Sequence, residues 1–161
     1  MRGMWAAFVV ALAAFACLTP NAHAQQGETR DAGVAPCIRS AGASLAQLQK
    51  CKGVEADPCS ETDAGSTTAG AMLCWQAEGR AWGALIDQAI ARARQDATPA
   101  RAQALADSQE RWLAWRQSEC QYQALYYEGG SLARVIAAHC IADLNADRAI
   151  AFIYAERNAD Q

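Results

Sequence analysis

The chain has 161 residues and a small negative charge, since 17 acidic and 14 basic residues give a formal net charge of −3. An excess of acidic residues argues against nucleic acid and anionic membranes as partners, because both attract basic surfaces. The length suits one domain with a modest core and is too short to predict two.

The amino-terminal segment has the pattern of a secretory signal peptide. Arg2 precedes an apolar run that is too short to span a bilayer as a helix. Ala22 and Ala24 supply the small residues that signal peptidase reads, which predicts cleavage after Ala24. A lipoprotein would need Cys17 as its first mature residue, and the residues before Cys17 form a poor lipobox. We therefore expect a signal peptide over residues 1–24, a periplasmic or secreted location, and no stable membrane insertion after cleavage.

Six of the seven cysteines remain after the predicted cleavage, and an even number in an exported domain predicts three disulfides. Cys120 and Cys140 lie at mirror positions about Gly129-Gly130, so an antiparallel helix pair that turns there brings them together. The other pairings stay open, and the simplest interpretation is sequential: Cys37 with Cys51, and Cys59 with Cys74. A zinc site is disfavoured because the chain has no C-x-x-C motif and His139 is the one histidine after the predicted cleavage.

The first part of the predicted mature chain has few regular patterns. Residues 25–36 are polar and without periodicity, and we expect them to be mobile. Apolar residues at helical spacing between Cys37 and Cys51 predict one short helix. Residues 52–65, with a proline and scattered glycines, predict a loop.

Three long helical patterns follow. The first begins after a cap at Ser66 or Thr67 and runs to about Gln95, and the last follows Ser131, which is placed to cap it. No strand-like alternation occurs in the sequence. We therefore predict an all-α fold over residues 37–161, a small disulfide-stapled helical bundle with a C-terminal antiparallel helical hairpin.

The middle helix is predicted from Pro99 to about Tyr127. Thr98 can cap its free N–H groups, and proline at the first helical position costs no hydrogen bond. Its apolar arc is wide, which predicts that it is the central helix of the bundle. Trp112 lies on this arc, and we expect it to be buried.

The sequence offers no convincing set of catalytic residues. His139 could pair with its neighbour Cys140, but a half-buried helical histidine is more often structural. Asp143, Asp147 and Glu156 have the spacing of a solvated helix face. No glycine-rich loop follows a strand, so a phosphate site is also unsupported. We predict that the protein is not an enzyme and has no cofactor or metal.

A constellation of polar and aromatic residues beside a cysteine lies in the middle of the Pro99 helix. Arg116 is one helical turn from Trp112 and from Glu119, so its stem can cover the indole while its head meets the acid. This favours a clamp between helices beside a disulfide over direct contact with a ligand. The constellation comprises Ser108, Gln109, Trp112, Arg116, Glu119 and Cys120.

These residues resemble a known family. The run is Ser108-Gln109-Glu110-Arg111-Trp112-Leu113-Ala114-Trp115-Arg116, then Glu119-Cys120, Tyr127-Glu128-Gly129-Gly130-Ser131, Cys140 and Arg148. Its order and spacing are similar to the signature of the lysozyme inhibitor LprI N-terminal domain family. The resemblance is strongest over residues 108–152 and extends to Cys59 and Cys74, whereas Cys37 and Cys51 look like an addition. It implies an exported bacterial helical domain and, for some members, lysozyme inhibition.

The leading hypothesis is a non-enzymatic periplasmic protein that binds and inhibits lysozyme. The alternative is an interaction module of the cell envelope with another partner and no inhibitory activity. At the hairpin tip, Tyr126, Tyr127 and Glu128 are candidates for partner contact, because aromatic residues beside a tight turn give rigid contact area at low entropic cost. Otherwise Gly129 and Gly130 simply end one helix before the next begins.

Overall fold

The computed structural model describes residues 33–159, which form six helices and no strand. The helices are α1 (Val34–Ser40), α2 (Leu45–Gln49), α3 (Ala56–Ser60), α4 (Thr68–Gln95), α5 (Pro99–Leu125) and α6 (Leu132–Arg157). The predicted all-α class is confirmed. The predicted signal peptide and its cleavage site lie outside the described residues. Within the described residues, no helix is both long and apolar enough to cross a membrane.

Threonine caps begin the first two long helices where the sequence predicts them. Thr67 and Thr98 each accept a hydrogen bond from the backbone N–H three residues further on, at 3.0 and 3.3 Å, and Pro99 follows Thr98. These side chains satisfy N–H groups that have no partner within the helix. The expected cap at Ser131 does not form, because its backbone is already helical rather than extended and its side chain makes no cap bond.

The core lies between α4 and α6, which run parallel to each other. Gly79 of α4 packs against Ala142 of α6, and a Cβ at Gly79 would lie 3.4 Å from the Ala142 Cα. Further along both helices, Arg92 pairs with Glu156 at 2.8 Å, so the contacts advance in the same direction. Small residues let the two backbones approach closely. The buried apolar side chains are mainly Trp82, Ile86, Ile90, Ala146, Ala149, Ile150 and Ile153, with Val34, Ile38 and Leu48 from the short helices.

The prediction that the Pro99 helix is central is wrong. Only Cys120 of α5 is buried, and large side chains such as Trp115 and Tyr122 are exposed. Trp112 is half-buried at the edge of the core. A wide apolar arc does not place a helix in the centre, since amphipathic aromatics are often only partly buried. The glycines and alanines of α4 and α6 allow closer packing, so these helices bury each other.

The chain before α4 is more helical than the sequence predicts. Residues 34–36 belong to α1 rather than to a mobile segment, and Val34 is fully buried. The single helix predicted before Cys51 is two helices, with Gly42 between them at a φ of +60°. The predicted loop 52–65 contains α3. Helices this short are fixed by tertiary contacts, which leave no clear periodicity in the sequence.

Three disulfides join neighbouring elements in the predicted pairing. Their Cα separations are 5.7, 5.8 and 5.5 Å for Cys37–Cys51, Cys59–Cys74 and Cys120–Cys140, respectively. The last bond joins α5 to α6 and makes them an antiparallel hairpin. Bonds of this kind persist in oxidising compartments, and they suggest an exported protein.

Candidate functional site

A buried carboxylate in α4 holds the segment that leads into α3. The Glu78 side chain is 1% exposed and accepts four hydrogen bonds. Oε1 accepts from the Gly53 N–H at 2.7 Å and the Trp82 Nε1–H at 3.0 Å, and Oε2 accepts from the N–H groups of Glu55 at 3.0 Å and Ala56 at 2.8 Å. These donors offset the cost of burying the charge. Sequence reasoning missed Glu78.

The same segment is also tied to α1 and α6. Glu55 Oε1 accepts from the Val34 N–H at 2.8 Å, and Lys52 Nζ lies 2.7 Å from Asp143 and 2.9 Å from Asp147. Burial by itself lowers the pKa of Lys52, but its hydrogen bonds and charge pairing with the two aspartates outweigh burial and raise the pKa above its ordinary value. The two aspartates, predicted as part of a solvated face, therefore also anchor the chain before α3.

The constellation predicted on α5 forms a clamp against α6. The Arg116 guanidinium carbon lies 5.1 Å from the centroid of the Trp112 ring, and that of Arg148 on α6 lies 5.5 Å from the same centroid. Arg148 is also 4.8 Å from the Phe152 ring, and its Nη2 donates to Ser108 Oγ at 3.2 Å. Burial lowers the pKa of both arginines. Cation–π contacts of this kind contribute about 0.5–2 kcal/mol each.

The Arg116 head reaches across to α6 and does not meet Glu119. Arg116 Nη1 donates to Asn145 Oδ1, and Asn145 Nδ2 donates to the Gly79 carbonyl oxygen at 2.8 Å. Asn145, 4% exposed, therefore links α4, α5 and α6. Glu119 instead accepts from Gln123 Nε2 at 2.9 Å. Helical side chains lean toward the amino terminus, which carries Arg116 toward Trp112 and away from Glu119.

The structure thus brings four of the predicted motif residues together. At the α5–α6 interface, Arg148 of α6 contacts Ser108 and Trp112 of α5, and Arg116 of α5 contacts Trp112. Gln109 is half-buried on the same helix, and its Oε1 has no hydrogen-bond partner among the described residues. The clamp therefore holds α5 and α6 together.

The hairpin tip is exposed. Tyr126 and Tyr127 are 72% and 43% exposed, Glu128 is exposed, and Gly129 turns the chain at a φ of +82°. The hydroxyl oxygens of Tyr122 and Tyr126 lie 2.6 Å apart, and this hydrogen bond raises the pKa of Tyr122. An aromatic surface therefore runs along the end of α5 to the turn.

Among the described residues, His139 lies against a tryptophan ring and has no free thiol as its neighbour. It is exposed, and its ring meets the Trp75 ring edge-on with a centroid distance of 4.2 Å. Its neighbour Cys140 is bonded to Cys120, so the sulfur has no free thiol. Within residues 33–159, no group of three or more His, Cys, Asp or Glu side chains could hold a metal ion.

The contacts of the clamp predict different losses of stability when each of two tryptophans of α5 is replaced. Trp112→Ala is expected to lower the free energy of unfolding by about 2 kcal/mol, less than for a fully buried tryptophan, because Trp112 is half-buried. Trp115→Ala is the matched control, and since Trp115 is 49% exposed its loss should stay within about 0.5 kcal/mol. Urea unfolding followed by circular dichroism measures both. Equal losses would show that the clamp contributes nothing specific.

Comparison with known proteins places this geometry in a family. The family model for lysozyme inhibitor LprI matches residues 59–151. That range begins at Cys59, includes α4, α5, the clamp and the hairpin tip, and leaves α1 and α2 outside. No curated protein and no solved structure matches the chain.

Proposed function

The chain belongs to the lysozyme inhibitor LprI family, and from this premise we propose that it is an exported, non-enzymatic periplasmic protein that binds lysozyme and inhibits it. Three disulfides support export, because such bonds persist outside the cytoplasm. The signal-peptide pattern that ends at Ala24 supports the same route. Opposite charge draws an acidic chain to a basic lysozyme, but a net charge of −3 contributes little.

The observation that carries the proposal is the exposed aromatic surface at the hairpin tip. Tyr126 is the most exposed of the large hydrophobic side chains, at 72%. Exposed aromatic groups in a patch mark contact sites for other proteins, where tyrosine and tryptophan supply much of the binding energy. The described helices leave this surface uncovered.

The tip is also held in place before any partner binds. The Cys120–Cys140 bond joins the two helices behind the turn. A surface that is already ordered loses less conformational entropy on binding, so more of its contact energy appears as affinity.

We propose that the tip enters the substrate cleft of lysozyme. A two-helix turn is narrow and convex, which suits a cleft, and Tyr127 supplies aromatic contact area there. Glu128 places a negative charge beside it and can pair with basic groups of the cleft. An occupied cleft cannot bind the cell-wall glycan, so the chain inhibits without any chemistry of its own.

The double variant Tyr127→Ala/Glu128→Ala is expected to weaken inhibition at least tenfold, about 1.4 kcal/mol of binding free energy. Both side chains are exposed, so the variant should keep its helices and disulfides. The measurement is lysis of bacterial cell walls by lysozyme at increasing concentrations of the inhibitor. Tyr154→Ala/Glu110→Ala removes an exposed tyrosine and an exposed acid elsewhere, and should inhibit like the parent.

Two results would separate the alternatives. If the parent inhibits and the folded tip variant inhibits equally well, the contact lies on another face of the molecule. If the folded parent does not inhibit, the chain is an envelope interaction module of this family with a different partner.

A further inference from the structure

A second surface is a groove lined by residues of α4 and α6 and by Arg116 of α5. Its volume is about 680 Å³, and pockets for small molecules generally measure about 300–1,000 Å³. Arg80 of α4 and Arg134 of α6 also line it. We call it the arginine groove.

The charge in the arginine groove is unbalanced. Its lining contains Arg80, Arg116 and Arg134 from three different helices, and Asp87 is the one acid among the lining residues. The side chains of Arg80 and Arg134 are exposed and form no hydrogen bond or ion pair within residues 33–159. In a chain whose net charge is −3, three arginines and one acid on the lining of one groove create a local positive field.

Arg116 adds a half-buried charge to this field. Its one hydrogen-bond partner in the described chain is the neutral Asn145, and its Nε is buried without a partner there. Burial without a countercharge lowers the pKa of Arg116. A partly desolvated guanidinium is stabilised by an anion that supplies both charge and acceptor oxygens.

The groove also offers an apolar surface. Trp75 and Ile141 line it, together with Gly79 and Gly83 of α4. An indole face binds the apolar faces of rings and chains, while the arginines fix the charged groups. The combination suits a ligand that is both anionic and partly apolar, rather than a simple inorganic ion.

We propose that the arginine groove binds a small organic anion, with its carboxylate or phosphate groups on Arg80, Arg116 and Arg134 and its apolar part against Trp75. Guanidinium groups bind both kinds of oxyanion through paired N–H···O bonds, so the two share one recognition chemistry. This site is additional to the proposed inhibition, since none of its lining residues lies at the hairpin tip.

The test is a titration of the ¹⁵N-labelled exported protein at low salt, followed by NMR. The carboxylate probe is N-acetylmuramyl tetrapeptide, the phosphate probe is hexyl phosphate, and neutral N-acetylglucosamine is the control. At least one anion is expected to shift the Arg116 Nε–H and Trp75 Nε1–H signals in a saturable way, with a Kd below about 1 mM. The neutral sugar should not shift them. If only one of the two anions binds in a saturable way, the result shows whether the groove selects a carboxylate or a phosphate.

The variant Arg80→Gln/Arg134→Gln is expected to weaken binding of that anion at least tenfold. Both residues are exposed and unpaired in the described chain, so the fold should be kept. Arg94→Gln/Arg111→Gln removes the same charge from exposed positions outside the groove and should bind like the parent. Absence of a saturable shift with both anions, or an equal loss in the control variant, would overturn the proposal. No lysozyme is present, so either result leaves the inhibition proposal unaffected.

Discussion

Replacing Glu78 with alanine is expected to lower the free energy of unfolding by about 4–5 kcal/mol, the largest effect of a single substitution that we predict. The change leaves three backbone N–H groups and the Trp82 indole N–H without their acceptor, and it opens a cavity in a site that is 1% exposed. Each unsatisfied buried donor costs about 1–3 kcal/mol, and partial entry of water keeps the total below the sum.

Glu78→Gln tests the same contacts with the volume preserved. An amide has one acceptor oxygen, so its NH₂ group must face two of the four donors, and we expect a loss of about 2–3 kcal/mol. Asp87→Ala, an exposed acid on the same helix, should change stability by less than about 0.5 kcal/mol. Urea unfolding with the disulfides intact gives all three values. A loss below 1 kcal/mol for Glu78→Ala would mean that the carboxylate does not hold the segment before α3.

Asn145→Leu is expected to lower the free energy of unfolding by about 3 kcal/mol. Leucine has a similar volume, so the loss comes from polar contacts and not from a cavity. It removes the acceptor of Arg116 and the donor to the Gly79 carbonyl oxygen, and it leaves a half-buried guanidinium beside an apolar group. Unfolding in urea is the measurement.

A second substitution shows whether the loss of stability in Asn145→Leu comes from the unpaired charge of Arg116 or from a general loss of packing. If the unpaired guanidinium causes most of the loss, Arg116→Leu in the Asn145→Leu background should recover about 1 kcal/mol, although Arg116→Leu alone destabilises the parent. Losses that simply add would show that Arg116 and Asn145 are not coupled, and the link between the three long helices would then have another cause.

The long helices were predictable because their signals are local. Thr67, Thr98 and Pro99 mark helix starts through hydrogen bonds that close within a few residues. The hairpin disulfide followed from a simple antiparallel geometry about the turn. The same geometry places Arg116 opposite Asn145, so the partner of Arg116 has a signal in the sequence, although the spacing of Arg116 and Glu119 favours an ion pair within α5.

The remaining features depend on contacts between distant segments. Glu78 resembles any helical acid in the sequence, because three of its four donors lie more than twenty residues earlier in the chain. The central position of α4 and α6 depends on close approach at Gly79 and Ala142, whereas apolar content alone favoured α5. The charge of the arginine groove arises only when three helices are assembled. Sequence patterns describe one element at a time and carry little of this information.

The most direct test of the proposed function is lysozyme activity on cell walls in the presence of the purified, disulfide-bonded protein. We predict that lysis falls with increasing protein and is abolished at saturation, and that Tyr127→Ala/Glu128→Ala requires at least ten times more protein for the same effect, about 1.4 kcal/mol. Full lysis at a saturating concentration of correctly folded, disulfide-bonded protein would contradict it.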